Sequence, residues 1–293
     1  MTHTATTSRP HILPPTLAWT MNSYFTVPSV FLFSCILAHI TIPSLEDIFA
    51  KLRLLLICGE VALVNSMIVQ SEGFLKAAIS LIPEVPPTIE VYKMIVQTEE
   101  ELVGFIRNFT SFLLLFPGHP EHGAFYLIKG LLNAVQTYEP WQNGSVGKTK
   151  VFLGVFALFC TYFQRTFPYR IAKVESNDEL YGGDPNYMKQ LVPFLDTLIN
   201  EILSQLTLIG ERGDLLSKKQ QGTLALDLVN LLISSVTMNA ASATLVVKLV
   251  GLAQKTGAVD PNYIQATIRN IQSKKATWYQ DVAAKLVPSN EAK

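Results

Sequence analysis

The chain has 293 residues, in which 23 Lys and Arg balance 23 Asp and Glu to give a formal charge of zero. Charged residues make up 16% and hydrophobic ones 49%, against roughly 25% charged in an average soluble domain. This composition excludes a basic nucleic-acid-binding stripe and leaves ample material for a core.

The length fits one large domain or two ordinary ones. So low a charge fraction is expected of helices covered on both faces, or of an apolar face that waits for a partner. Cys35, Cys58 and Cys160 lie far apart inside apolar runs without C-x-x-C spacing. They predict buried reduced thiols, not a disulfide or metal site.

Residues 1–25 are rich in Thr and Pro and predict a disordered or irregular segment. Residues 24–42 carry no Asp, Glu, Lys or Arg, close to the roughly 20 residues that a bilayer span needs. Pro28, Ser29, Ser34, His39 and Thr41 interrupt that stretch, and no Lys or Arg flanks it closely. The preferred reading is a covered helix over 29–40, closed by Pro43; the alternative is a membrane-inserted helical protein led by 24–42. Ser44 then predicts an N-cap with Glu46 and Asp47 in the first turn. Leu45, Ile48, Phe49, Leu52, Leu55 and Leu56 follow one helix face, in a helix extending through residue 69. A shorter helix over 74–82 ends at Pro83, Pro86 and Pro87.

Thr98 and Glu101 have capping-box spacing, and Leu102, Phe105, Ile106, Phe109, Phe112 and Leu113 form the stripe of the next helix. Pro117-Gly118 stops it, and 121–138 reads as the return helix. A polar turn over 141–149 leads to 151–163, which is apolar nearly all round and predicts burial on both sides. The interior then breaks at 173–187. There Ser176 and Glu179 repeat the capping spacing, Gly182-Gly183 permits positive φ, and Asp184-Pro185 is the grammar of a helix start. Five further helices read at 187–208, 224–236, 241–254, 263–272 and 276–286. Asp184-Pro-Asn-Tyr187 recurs as Asp260-Pro-Asn-Tyr263, close to two helix-pair periods later. A repeat relic and a helix start chosen twice both account for that echo.

Helices joined by short turns, without convincing strand alternation or a βαβ rhythm, predict an all-α chain. Consecutive pairs predict an α-solenoid of HEAT-like antiparallel helix pairs over 26–290. A solenoid cut from a longer one leaves a raw apolar edge at its first helix, here 27–42.

Several strings resemble chemistry without completing it. Gly144-Ser-Val-Gly-Lys-Thr149 suggests a phosphate loop, but Gln142 stands where the first Gly is required and a helix, not a strand, precedes it. It reads as a solvated turn. His119-Pro-Glu-His122 offers two imidazoles and a carboxylate with no further ligand near in sequence, and reads as a turn into a helix. Glu99-Glu100-Glu101 and Asp178-Glu179 read as solvated acidic runs. The sequons at Asn108 and Asn143 read as accidental. No nucleophile elbow, thiol-enzyme motif or Gly-rich dinucleotide turn is present, so the expectation is a non-enzyme without cofactor or metal.

The string Ser176-Asn-Asp-Glu-Leu-Tyr-Gly-Gly-Asp184 resembles a segment of the large scaffold subunits of endosomal retriever complexes, paralogues of the retromer scaffold. Phe74-Leu-Lys-Ala-Ala-Ile-Ser-Leu-Ile-Pro-Glu-Val-Pro86, Pro117-Gly-His-Pro-Glu-His-Gly123 and Leu131-Leu-Asn-Ala-Val-Gln136 are similar to segments of the same family, in the same order. The likeness covers the family's C-terminal portion and thins after about Leu195, so the chain reads as a fragment or short form lacking the N-terminal two-thirds. The resemblance implies a cytoplasmic scaffold, peripheral on endosomes, that recycles membrane-protein cargo to the cell surface. It implies that this portion holds the small phosphoesterase-fold subunit shared with retromer, with the coiled-coil and COMM-domain proteins as associates. It also implies that the arrestin-fold subunit binds the missing N-terminal part. Asn177, Asp178, Tyr181 and Asp184 are candidates for partner contacts; capping and turning the chain is an equal account of them.

Overall fold

A computed structural model describes residues 27–91, 93–113, 115–116, 122–123, 125–142, 144–163, 185–235, 239–274 and 282. As expected the chain is an all-α helical solenoid: the described residues hold ten α-helices, three short 3-10 turns and one small hairpin. They group into two compact units, one ending at Leu75 and one beginning at Lys76.

The first unit contains α1 (Val27–Thr41), α2 (Ile48–Val64) and the opening of α3 (Ile68–Leu81). Asp47, not Ser44, caps α2, its carboxylate accepting the Phe49 amide at 2.9 Å. Pro43 starts a 3-10 turn over Ile42–Ser44 instead, and the Ser44 hydroxyl donates back to the Thr41 carbonyl. The helix expected to run through residue 69 breaks at Asn65, whose side-chain amide donates to the Val61 carbonyl, and at Ser66 with φ +61°. The buried Ser71 hydroxyl then donates to the Gly59 carbonyl at 2.7 Å, tying α3 to α2.

Two expectations concerned α1, and they come out differently. It is not covered: Phe33 is 61% and Ile40 67% exposed. The raw apolar edge is present, and α2 continues it with Ile57 and Val64. The described part of α1 has 15 residues, against the roughly 20 of a bilayer span. The helical stretch Lys189–Glu211 is long and apolar enough for one by length and composition. It belongs to a helix packed between two others, with Leu198, Ile202, Leu206 and Ile209 buried.

The second unit takes the rest of α3 and a 3-10 turn over Ile82–Glu84, followed by a hairpin that the sequence reading lacked: β1 (Thr88–Val91) pairs antiparallel with β2 (Met94–Gln97), Thr88 opposite Gln97. Lys93 turns it at φ +65°. Then follow α4 (Glu99–Leu113), α5 (Tyr126–Thr137), α6 (Val146–Phe163), α7 (Pro185–Glu211), α8 (Leu215–Ser235), α9 (Ala240–Thr256) and α10 (Pro261–Ser273). The predicted helix over 276–286 lies outside the described residues except for Val282, which is buried.

Helix α1 packs with α2, α4 with α5, and each of α6 to α9 with the helix that follows it, and so do α4 with α6, α6 with α8 and α8 with α10. That alternate-helix ladder is what stacked helix pairs produce. Phe125, Phe159 and Phe194 join the entry of α5 to α6 and α7, with ring centroids 4.7 to 6.0 Å apart. All three rings are buried, and each contributes about 2 to 3 kcal/mol by area. As predicted, α6 is covered on several sides: Val151, Phe152, Val155, Phe156 and Phe159 are buried. Of the cysteines only Cys160 is buried, and burial pushes its thiol up to about 12. Cys35 and Cys58 are half-buried, because the helices that carry them keep an open face.

Candidate functional site

The Gly144–Thr149 string is not a solvated turn. Helix α6 begins at Val146, four residues earlier than the 141–149 turn allowed, and Ser145, Lys148 and Thr149 are buried. Gly144 sits at φ +73°, where a Cβ would come within 2.8 Å of the Leu208 Cβ, so α7 crosses directly over it. Ser145 caps α6, its hydroxyl oxygen accepting the Gly147 amide at 3.1 Å and the Lys148 amide at 3.3 Å.

The anion at this helix terminus comes from the protein itself. Glu99, at the start of α4, accepts from the Ser145 hydroxyl at 2.8 Å and from the Gly147 amide at 2.9 Å. Helix N-termini favour such a carboxylate through their free amides and dipole. Glu99 was read as part of a solvated run; its place beside the α6 terminus, which no local pattern specifies, reverses that. The expected Thr98 capping box does not form either, since the Thr98 hydroxyl donates to the Pro86 carbonyl at 2.6 Å and anchors the hairpin's base.

One turn into α6, the buried Lys148 reaches Glu201 of α7 at 3.7 Å, and Gln205 donates to that same Glu201 oxygen. Lys150, two residues further, is exposed and faces an open cleft. This cleft runs along the ladder in two adjoining lobes. The larger, about 930 Å³, lies over the starts of α4, α6 and α8 and is lined by Glu99, Glu100, Gly147, Arg212, Asp214 and Ser217 among others. The smaller, about 440 Å³, lies between α4, α6, α8 and α10. Arg107, Lys150 and Asp227 line both.

Asp227 on α8 accepts the Tyr263 hydroxyl at 2.5 Å, while the Asn230 amide donates to Tyr263 Oη and to Thr267 Oγ1, each at 3.2 Å. Burial first, and then the Asp227 carboxylate, pushes the Tyr263 phenol up to about 12. Asp214 caps α8 by accepting the Ser217 amide at 2.9 Å, and the Ser217 hydroxyl and amide hold its carboxyl below the usual range.

Asn177, Asp178, Tyr181 and Asp184 lie outside the described residues, as does His119. Helix α7 is described from Pro185 onward, and the cap predicted at Asp184 is among the residues outside that description. In the second copy of the echo, the Asp260 side chain accepts the Asn262 amide at 2.9 Å and caps α10. His122 lies against the Tyr126 ring, centroids 5.9 Å apart. No cluster of three or more metal-ligating side chains occurs among the described residues. The sequence reading missed Arg107, Lys150 and Asp227. A usable signal for the last was Tyr263 of the echo, whose partner lies 36 positions back, about one helix pair.

Residues 22–292 match the family model described as "VPS35L C-terminal domain". The chain belongs to the VPS35L C-terminal domain family. A VPS35 endosomal protein sorting factor-like protein of Dictyostelium discoideum is 37% identical over 261 residues, covering 87% of this chain and 26% of that protein. Those of Danio rerio and Homo sapiens are each 37% identical, covering 85% and 84% of this chain. The chain thus spans about a quarter of the length of these relatives. Within a VPS35L C-terminal domain, the alternate-helix ladder carries a cleft with the geometry to bind a partner.

Proposed function

We propose that this chain acts as a non-catalytic scaffold in a retriever-like endosomal sorting complex. Its solenoid, taken as running over 26–290, holds the small phosphoesterase-fold subunit and so supports recycling of membrane-protein cargo from endosomes to the cell surface. The observation that carries the reading is the family match over nearly the whole chain, joined to relatives whose names are those of endosomal protein sorting factors. The cleft along α4, α6, α8 and α10 supports it physically, because stacked helix pairs offer extended surfaces on which a globular partner gains affinity from a few anchors.

On this reading the protein is cytoplasmic and peripheral on endosomal membranes, and associates with the coiled-coil and COMM-domain proteins. The arrestin-fold subunit belongs to the N-terminal part of the longer relatives and is not held by this portion. Asn177, Asp178, Tyr181 and Asp184 are partner contacts.

Co-purification of residues 26–293 with the small phosphoesterase-fold subunit, followed by size-exclusion chromatography with mass determination, tests the reading. A one-to-one complex supports it. A folded chain that elutes alone at micromolar concentration of both proteins overturns it.

A further inference from the structure

The smaller lobe of the cleft has a charge pattern that specifies its occupant. We propose that it receives a carboxylate-bearing segment of a protein partner, anchored by Arg107 and Lys150. This rests on the scaffold reading above and names the chemistry of the contact.

Arg107 and Lys150 are both exposed and line the same lobe from α4 and α6. Among the described residues neither makes a hydrogen bond or ion pair. The contrast with Lys148 is sharp. Two residues apart on a helix, side chains point to opposite sides, so α6 directs Lys148 to its buried partner Glu201 and Lys150 to the open lobe.

The acids nearby are already engaged. Glu99 is set on the α6 terminus, Asp214 on the α8 terminus, and Asp227 on the Tyr263 hydroxyl. Glu100 sits in the first turn of α4, where the helix dipole offsets its charge. Within the smaller lobe two uncommitted cations therefore stand against one carboxylate that already accepts a hydrogen bond.

The lobe's lining suits close approach. Gly154 and Ala157 are the smallest residues between the charged ones, and a methyl placed on Gly154 would lie 4.0 Å from Arg107 Nε. A guanidinium there can take a carboxylate with two parallel hydrogen bonds, and the ammonium adds a second, less directional anchor. A nucleic acid or an anionic membrane needs a broad basic face. Two cations bordered by Glu100 and Asp227, in a chain of zero formal charge, do not make one.

The experiment compares the wild-type chain with R107E/K150E and with K219E/K248E, which carries the same charge change on residues outside this lobe. Titration calorimetry with the small phosphoesterase-fold subunit is run at low and high salt. The expected result is binding weakened about tenfold or more in R107E/K150E, with the salt dependence reduced, and unchanged in K219E/K248E. Equal affinity for all three chains, or equal loss in both variants, overturns the inference while leaving the scaffold reading in place. If the wild type fails to bind that subunit, the scaffold reading falls, and the three chains are titrated with a fluorescein-labelled decaglutamate peptide. Salt-sensitive anisotropy lost only in R107E/K150E supports the lobe as an acidic-segment site. No binding, or binding of phosphatidylserine vesicles in preference to the peptide, overturns it.

Discussion

The Glu99 carboxylate accepts the Ser145 hydroxyl at 2.8 Å across 46 positions of sequence, and so joins the first turn of α4 to the first turn of α6. Its other bond, to the Gly147 amide, places a full negative charge on a partly buried helix terminus. Charge-assisted bonds of this kind are the stronger ones. E99A is expected to lower stability by about 2 kcal/mol, E99Q by less because an amide oxygen can still accept. Urea denaturation followed by circular dichroism checks both, and an unchanged midpoint for E99A contradicts the anchoring role.

Lys148 and Glu201 form a pair with one buried and one partly exposed member. Removing the accessible partner leaves an ammonium in the core. E201L should therefore cost about 3 kcal/mol, whereas K148M/E201L, which removes both charges, should fall close to wild type. A double-mutant cycle in denaturant measures the coupling.

The Tyr263 phenol, pushed up to about 12 by burial and then by Asp227, is more easily kept neutral in the folded chain than in the unfolded one. The unfolded phenol ionises near 10. Its contribution is therefore complete below about pH 10 and is lost as pH rises toward 12, since the unfolded state binds fewer protons in that window. Y263F should remove this alkaline loss and abolish the late-titrating phenolate absorbance.

Gly222 brings α8 close to the end of α9: a Cβ there would press on the Val259 side chain and come within 3.0 Å of Thr256 Oγ1. G222A should destabilise by about 1 to 3 kcal/mol through overpacking, read as a lower thermal midpoint.

The exposed apolar side chains of the first unit invite a test that leaves its core alone. Phe33 and Ile40 are 61% and 67% exposed, so F33S/I40S should reduce anilinonaphthalene sulfonate binding and self-association with little change in thermal midpoint. A large drop in the midpoint would show that these residues are packed.

Much of the fold was legible because helix signals are local. The apolar stripe from Leu102 to Leu113, the cap at Asp260 and the break after Thr41 are each written within a few residues. The errors lie where distant groups decide. Ser44 has the chemistry of a cap, but Pro43 draws it into a 3-10 turn and Asp47 takes its place. The hairpin escaped notice because each strand has four residues and Met94, Ile95 and Val96 are consecutive apolar positions without alternation. The cleft was illegible for a stronger reason. Arg107, Lys150, Asp227 and Tyr263 come from four helices, and only the alternate-helix packing makes them neighbours.

The opposite directions of Lys148 and Lys150 set a rule for how this region can change over time. One extra residue inside the first turn of α6 would rotate everything after it by about 100°. That would swing the core-directed lysine toward water and turn hydrophobic positions such as Phe152 and Phe156 off their neighbours. Insertions and deletions should accordingly be tolerated in the loops and purged from this helix. Variation within α6 then proceeds by substitution alone, with the cleft-facing positions free to be retuned for a new partner while the core-facing ones stay fixed.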